Sequence, residues 1–216
     1  MDDPTEYPEA TLLDTIAHAL TAEGYIILSQ ALPTALVTSL YHHAISCPIT
    51  HFQPAGVGRD RHHQHNPGVR SDLIHWMDSN AAAVVRYLGW IELLRTGLNQ
   101  RLWLGLFDYE AHYACYPMGA FYTKHLDAFT GKSCRVVTTV LYLNPGWHPD
   151  DGGELVIYTE DGAIELKRIT PDYGKLVLFL SDRFPHAVLP ATQPRWSIAG
   201  WYRRNGSQGS SASPAR

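Results

Sequence analysis

The sequence predicts an all-β core with flanking helices: a double-stranded β-helix, or jelly roll, packed against N-terminal α-helices. Three observations predict it. Apolar residues recur at helical spacing in the first half of the chain. After Gly105 the texture changes to eight short β-type runs, at 108–116, 120–127, 134–143, 154–159, 162–168, 175–181, 185–189 and 195–203. Turn-forming stretches join these runs, among them Asn144-Pro-Gly, Asp150-Asp-Gly-Gly153, Glu160-Asp-Gly162 and Pro171-Asp-Tyr-Gly174. Eight strands at that spacing fit two facing sheets whose mouth is a natural pocket.

From Thr11 to Leu20, the residues Leu12, Leu13, Ile16, Ala17 and Leu20 share one helical face, and Gly24 follows where a helix would stop. Gly24-Tyr-Ile-Ile-Leu-Ser29 reads as a buried strand. Pro33 then opens a second helix with Leu36, Val37, Leu40 and Tyr41 on one side, and both helices are expected to cover a sheet. Between Pro48 and Arg70 the periodicity disappears, and Pro54, Gly56, Gly58, Pro67 and Gly68 punctuate a stretch carrying Arg59, Arg61, His62, His63 and His65. This reads as a long mobile loop, solvated or substrate-covering, because neighbouring histidines without fixed geometry make a poor metal site. Ser71-Asp-Leu-Ile-His-Trp76 resembles a short strand. Asp78-Ser-Asn80 is placed to cap a long helix from about Ala81 to Leu102, whose stripe of Val84, Leu88, Ile91 and Leu98 is that of a core-covering scaffold. Residues 205–216, rich in Ser, Gly and Ala, are expected to form a disordered tail. That leaves one domain over 1–204, with helical support and the mobile loop (about 50–70) in 1–104 and the jelly-roll core in 105–204.

Composition narrows the function classes. Hydrophobic residues at 45% and charged residues at 18% describe a soluble globule with one core rather than a disordered chain. There is no run of about eighteen apolar residues, and the acidic start lacks the pattern of a secretory signal, so no membrane partner and a cytoplasmic location are expected. Cys47, Cys115 and Cys134 have no paired spacing and are expected to be reduced thiols, neither a disulfide framework nor a zinc finger. A net charge of −4 without a block of like charges gives no reason for nucleic-acid binding.

The chemistry concentrates in Tyr116-Pro-Met-Gly-Ala-Phe-Tyr-Thr-Lys-His125-Leu-Asp127. On a β-strand, alternation would put His125 and Asp127 on one face, with Cα atoms roughly 6.6 Å apart. A second histidine from another strand, His186, would complete two imidazoles and one carboxylate, the facial set that leaves positions open on a non-haem Fe(II). His-x-Asp alone is a weak signal. It is joined here by Arg195 nine residues after His186, and by Arg70-Ser-Asp-Leu-Ile-His-Trp76, Cys115-Tyr-Pro117, Arg135-Val-Val-Thr-Thr-Val-Leu-Tyr-Leu-Asn144, Asp151-Gly-Gly-Glu-Leu155, Leu180-Ser-Asp-Arg-Phe-Pro-His186 and Arg195-Trp-Ser-Ile-Ala-Gly-Trp-Tyr202. On these motifs the chain resembles the Fe(II)- and 2-oxoglutarate-dependent oxygenases. Within them it is similar to the prolyl hydroxylase branch, the oxygen-sensing enzymes and especially their bacterial relatives.

That resemblance implies Fe(II) held by His125, Asp127 and His186, with 2-oxoglutarate and O2 at the remaining positions and ascorbate as a stimulant. It implies that Arg195 pairs with the far carboxylate of 2-oxoglutarate, that Tyr142 bonds the same carboxylate, and that Tyr116, Val140 and Ala199 line the pocket. Without the flanking motifs, the preferred reading of Tyr142 and Tyr116 is a core tyrosine with a satisfied hydroxyl. The implied reaction is decarboxylation of 2-oxoglutarate to succinate and CO2 coupled to hydroxylation, and Asp127 sets the site apart from related halogenases, which have a small residue there. The implied substrate is a prolyl residue in a protein, hydroxylated at C4, with a loop of elongation factor Tu as the candidate target. Arg135, Trp201 and Arg70 are the candidate substrate contacts, Arg135 being read as either a contact or solvated surface charge. Tyr116 and His125 are one residue closer than in the animal oxygen sensors, and Lys124 replaces an arginine, which favours the bacterial subgroup. A free amino acid hydroxylase and a non-catalytic jelly-roll binding module are the competing readings.

Overall fold

The computed structural model describes residues 7–56, 66–128 and 134–205. The basic cluster from Arg59 to His65 and the tail from 206 onward lie outside the described residues. Three helices come first in the architecture, α1 (Ala10–Ala22), α2 (Thr34–Ser46) and α3 (Ala82–Leu102), interleaved with short strands β1 (Tyr25–Leu28), β2 (Gln53–Pro54) and β3 (Leu73–Trp76). The second half supplies β4 (Leu106–Tyr116), β5 (Tyr122–His125), β6 (Arg135–Tyr142), β7 (Leu155–Tyr158), β8 (Glu165–Ile169), β9 (Leu176–Leu180), β10 (His186–Val188) and β11 (Arg195–Arg204). Among the described residues no helix is long and apolar enough to cross a membrane.

All pairings are antiparallel. The larger sheet runs β1-β9-β6-β11-β4-β3-β2 and the smaller β5-β10-β7-β8, the two facing layers of the expected jelly roll. Alternation along the strands divides the larger sheet into two faces. One carries Tyr113, Cys115, Val137, Leu141, Ile198 and Tyr202 into a core shared with Ile16 and Leu20 of α1, Leu36 and Leu40 of α2, and Val84, Trp90, Ile91 and Leu94 of α3. Each fully buried aliphatic or aromatic side chain there contributes about 1.5–3 kcal/mol. The other face turns Ala114, Tyr116, Val140, Tyr142, Val177 and Phe179 toward Leu155, Ile157 and Val188 of the smaller sheet. The helices therefore stiffen one side of the larger sheet and leave its inner side to form a pocket.

Two expectations need correcting. Asp78 and Asn80 do not cap α3: Asp78 accepts from the Asn80 backbone N–H at 3.3 Å, closing its own turn, and the residue at the helix start is Ala81, with no side-chain cap. The stretch expected as a structureless loop from Pro48 is ordered at both described ends. It holds a 3-10 turn at Ile49–His51 and the strand β2, anchored by Phe52 in the core, and Arg70 forms a β-bridge with Tyr122. The turn residues Pro48 and Pro54 masked short elements that have no apolar period to reveal them.

Gly200 sits mid-strand in β11 because Tyr109 occupies the space of a side chain. A Cβ there would overlap the Tyr109 hydroxyl and ring. That hydroxyl cannot swing aside cheaply, since it bonds Tyr87 at 2.9 Å and Thr139 at 2.8 Å. Gly200→Ala is expected to lower stability to urea by about 1–3 kcal/mol, the usual range for overpacking. In a double-mutant cycle with Tyr109→Phe the two losses are expected to be less than additive, because the second change removes the obstructing oxygen.

Candidate active site

Register brings the two histidines together. β5 pairs with β10 so that His125 stands directly opposite His186, and their ring centroids are 4.2 Å apart. The Nδ1 atoms lie 2.8 Å from the Thr123 carbonyl and 3.0 Å from the Phe184 carbonyl. Only an N–H can bond a carbonyl, so this network assigns each proton to Nδ1 and leaves both Nε2 lone pairs free.

The carboxylate arrives by another route than alternation along one strand. β5 ends at His125, and Asp127 lies two residues further on, in a bend. The larger sheet holds it in place: Thr138 on β6 donates from Oγ1 to Asp127 Oδ2 at 2.8 Å, Thr138 and Ser181 hydroxyls share a 2.9 Å hydrogen bond, and the Ala128 N–H donates to the Ser181 carbonyl at 3.2 Å. Asp127 Oδ1 then lies 3.7 Å from His125 Nε2, and Oδ2 lies 3.5 Å from His186 Nε2. One donor atom from each of the three residues falls within 4.8 Å of the others. The separations of 3.5 and 3.7 Å are ones a shared ion can span with two bonds of about 2.1 Å.

Burial alone would raise the Asp127 carboxyl, but its neighbours His186, His125 and Arg135 outweigh it and hold Asp127 below the usual carboxylate range. Burial, followed by the nearby His186, lowers His125. Two neutral nitrogens and one anionic oxygen, converging from one side, suit a divalent non-haem iron with three positions left open.

Deeper between the sheets lies a cation. Arg195 is only 1% exposed. Its Nε donates to the Gly153 carbonyl at 2.7 Å, its Nη1 lies 3.5 Å from the Ser197 hydroxyl, and among the described residues no carboxylate pairs with it. The guanidinium carbon lies 5.0 Å from the ring centres of both Tyr116 and Tyr142. The buried Tyr142 hydroxyl has no well-aligned hydrogen-bond partner among the described residues, although the Arg195 guanidinium is close enough to act on it. Burial pushes this hydroxyl up to about 12, against the pull of Arg195, and burial raises Tyr116 as well. Val140 and Ala199 are cross-strand partners between the two ends. Thr138 beside the triad and Tyr142 beside Arg195 are four residues apart on β6, so the strip of inner face between them, the slot, is about 13 Å long.

At the rim, Arg135 lies 3.7 Å over the Trp201 ring and pairs with Glu110 at 2.9 Å. Glu110 also binds Arg203 at 2.9 Å. Arg70 pairs through a two-pronged fork with Asp72, at 2.8 and 2.6 Å, and lies 4.3 Å over the Tyr122 ring. Both arginines expected as substrate contacts thus already hold acidic and aromatic partners. Thr138, Tyr122, Asp72 and the Gly153 carbonyl have parts here that the sequence motifs do not announce. The Asp151-Gly-Gly-Glu run carried the signal for Gly153, whose positive φ of 71° brings a backbone oxygen against Arg195.

Comparison with known proteins agrees with this geometry. Residues 111–203 match the profile of the 2OG-Fe(II) oxygenase superfamily. A crystal structure of a Pseudomonas putida prolyl-4-hydroxylase superposes with a TM-score of 0.81 at 40% identity, covering 90% of this chain and 100% of that one. A Trichoplax adhaerens prolyl hydroxylase, solved in complex with a hypoxia inducible factor oxygen degradation domain peptide fragment, gives a TM-score of 0.79 at 28% identity and covers 90% of each chain. The human prolyl hydroxylase EGLN3 is 33% identical over 144 residues, 62% of this chain and 59% of the human protein's length. The chain belongs to the 2OG-Fe(II) oxygenase superfamily, and within it to the prolyl hydroxylase branch. The superfamily works with Fe(II), 2-oxoglutarate and O2, and the donor set of His125, Asp127 and His186 fits that metal.

Next to the slot, His112 is buried between Trp76 and Trp201, with ring centroids 5.1 and 5.4 Å away. Burial, with the charge of Arg70 adding to it, lowers its imidazole from 6.5 to about 4. Between those values the unfolded chain takes up a proton that the folded protein refuses, so this contribution is present above about pH 6.5 and is lost as pH falls toward 4. Relative to His112→Leu, the wild type is expected to lose up to about 3 kcal/mol more stability in urea between pH 7.5 and pH 4. Equal losses in both proteins would contradict a neutral buried His112.

Proposed function

We propose that this protein is an Fe(II)- and 2-oxoglutarate-dependent dioxygenase that hydroxylates a prolyl residue at C4 in a protein substrate. The observation that carries the reading is the buried Arg195, with the unbonded Tyr142 hydroxyl beside it, set behind an open His125–Asp127–His186 triad. A buried guanidinium without an anion is costly, and a dicarboxylate that reaches both the cation and the metal would satisfy both ends of the slot.

In this reading the Nε2 atoms of His125 and His186 and the carboxylate of Asp127 hold the iron. Thr138 donates to Oδ2 of Asp127 and so orients the carboxylate that would hold the iron. Arg195 and Tyr142 fix the distal carboxylate of 2-oxoglutarate, while Val140, Ala199 and Tyr116 shape an apolar channel that keeps water from its chain. When bound, the iron and 2-oxoglutarate supply the activation of O2: one oxygen atom leaves in succinate, the other enters the substrate C–H as hydroxyl, and CO2 departs. Trp201 and Arg135 form one wall of the mouth where a prolyl ring would enter.

A protein substrate is supported by the relative solved with a hypoxia inducible factor peptide. For the target itself, a loop of elongation factor Tu is the candidate, on the bacterial-type spacing from Tyr116 to His125.

The experiment is 2-oxoglutarate consumption by protein given Fe(II) and air, with and without a proline-containing peptide from that loop. Turnover is expected to require His125, to rise with peptide, and to add one oxygen to the proline by mass. Arg195→Leu is expected to raise the KM for 2-oxoglutarate about 10–100-fold, the loss of a charge-assisted hydrogen bond of roughly 1.5–3 kcal/mol. Turnover that is indifferent to every peptide but stimulated by free proline would overturn the protein-substrate reading; no iron-dependent turnover would overturn the enzyme.

A further inference from the structure

We infer that Tyr122, itself held against the Arg70–Asp72 ion pair, is a positioning residue that fixes the plane of the His125 imidazole. The inference rests on reading His125 as a metal ligand. The Tyr122 and His125 rings are stacked, with centroids 3.4 Å apart and planes 13° from parallel. Residues three apart on a regular strand point to opposite faces, so this contact needs an explanation. A register shift between β5 and β10 supplies it: His186 pairs with His125 but Val188 pairs with Tyr122, so two steps on β10 match three on β5. A bulge of this kind re-aims one side chain and bends the strand, and here it turns Tyr122 onto the face of His125.

Tyr122 is in turn held from outside the sheet. Arg70 lies 4.3 Å over its ring, and the fork from Arg70 to Asp72 is fixed at its far end, since the Asp72 side chain has no exposed surface. The backbones are tied as well: the Thr123 N–H donates to the Val69 carbonyl at 2.8 Å, and the Ser71 N–H donates to the Phe121 carbonyl at 3.0 Å. The bond from His125 Nδ1 to the Thr123 carbonyl, at 2.8 Å, fixes which nitrogen faces the slot. The stack fixes the ring plane, and the two restraints together set the direction of the Nε2 lone pair. Neither Tyr122 nor Arg70 offers a ligand atom to the metal; both act through His125.

The test reads metal binding rather than hydroxylation: Co(II) is titrated into the protein and followed by its visible absorption. His125→Ala serves as the control for the site, and urea unfolding of the metal-free proteins reports any loss of fold separately. Tyr122→Phe keeps the stack and is expected to bind within about twofold of wild type. Tyr122→Leu is expected to bind about 10–100-fold more weakly, the range for losing a group that orients a ligand. Its absorption band at saturating Co(II) is expected to shift, which a merely structural residue would not cause. Arg70→Lys, which breaks the fork but keeps the charge, is expected to fall between the two and gives the same readings if Tyr122→Leu fails to fold. Wild-type affinity and spectrum in Tyr122→Leu, or equal losses in Phe and Leu, would overturn the inference alone. Absence of any His125-dependent Co(II) band in the wild type would instead overturn the metal reading beneath it.

Discussion

A guanidinium sealed between two β-sheets sets the terms for the rest of this structure. Arg195 is almost fully withdrawn from water, and among the described residues the groups that reach it are a backbone carbonyl, a hydroxyl and two tyrosine rings. Neutral acceptors soften the desolvation of a cation without neutralising it. The slot is therefore electrostatically unfinished, and this is the basis of the proposal that an anion bridges the triad and Arg195. The stability of the surrounding core, with helices clamped to the opposite face of the same sheet, lets such a site persist.

The site follows from strand alternation applied twice. Arg195, Ser197, Ala199 and Trp201 share the inner face of β11, and Thr138, Val140 and Tyr142 share that of β6. Cation, apolar channel and rim thus fall in a line along neighbouring strands, a rigid scaffold rather than a set of loops. The smaller sheet contributes the two histidines as a directly opposed pair. Asp127 links the layers: it belongs to the chain leaving β5 yet is caught by Thr138 of the larger sheet. Metal ligation would therefore join both sheets through one ion.

The sequence made the regular parts of this arrangement legible. Strands read from short β-type runs lie close to the observed elements, because each run is bounded by turn residues and most are rich in β-branched and apolar residues; β6, β9 and β10 are buried on both faces and show no alternation. Arg195, Tyr142, Val140 and Ala199, which the family resemblance implies as pocket residues, lie on neighbouring strands at positions that share one inner face. Where regularity stops, the reading weakened. Asp127 was expected to share a strand face with His125, but it lies past the strand end and depends on a tertiary hydrogen bond from Thr138 that no local pattern announces. Tyr122 was hidden for a related reason: its alignment with His125 requires a bulge, and a bulge is decided by pairing with β10. The Arg135–Glu110 pair joins side chains whose proximity depends on the folded sheet, whereas Arg70 and Asp72 are only two residues apart, a local pairing that charge counting passes over.

The account turns on the anion that completes the Arg195 end of the slot, and the most direct measurement compares two ligands differing only at that end. Calorimetric titration of Mn(II)-loaded protein under anaerobic conditions, with 2-oxoglutarate and with 2-oxobutyrate, isolates the distal carboxylate, since both share the same metal-chelating 2-oxo acid. The account predicts that 2-oxoglutarate binds at least about tenfold more tightly, as expected for a charge-assisted hydrogen bond to a buried arginine, and that Arg195→Leu abolishes the difference. Equal affinities for the two acids in the wild-type protein would contradict it.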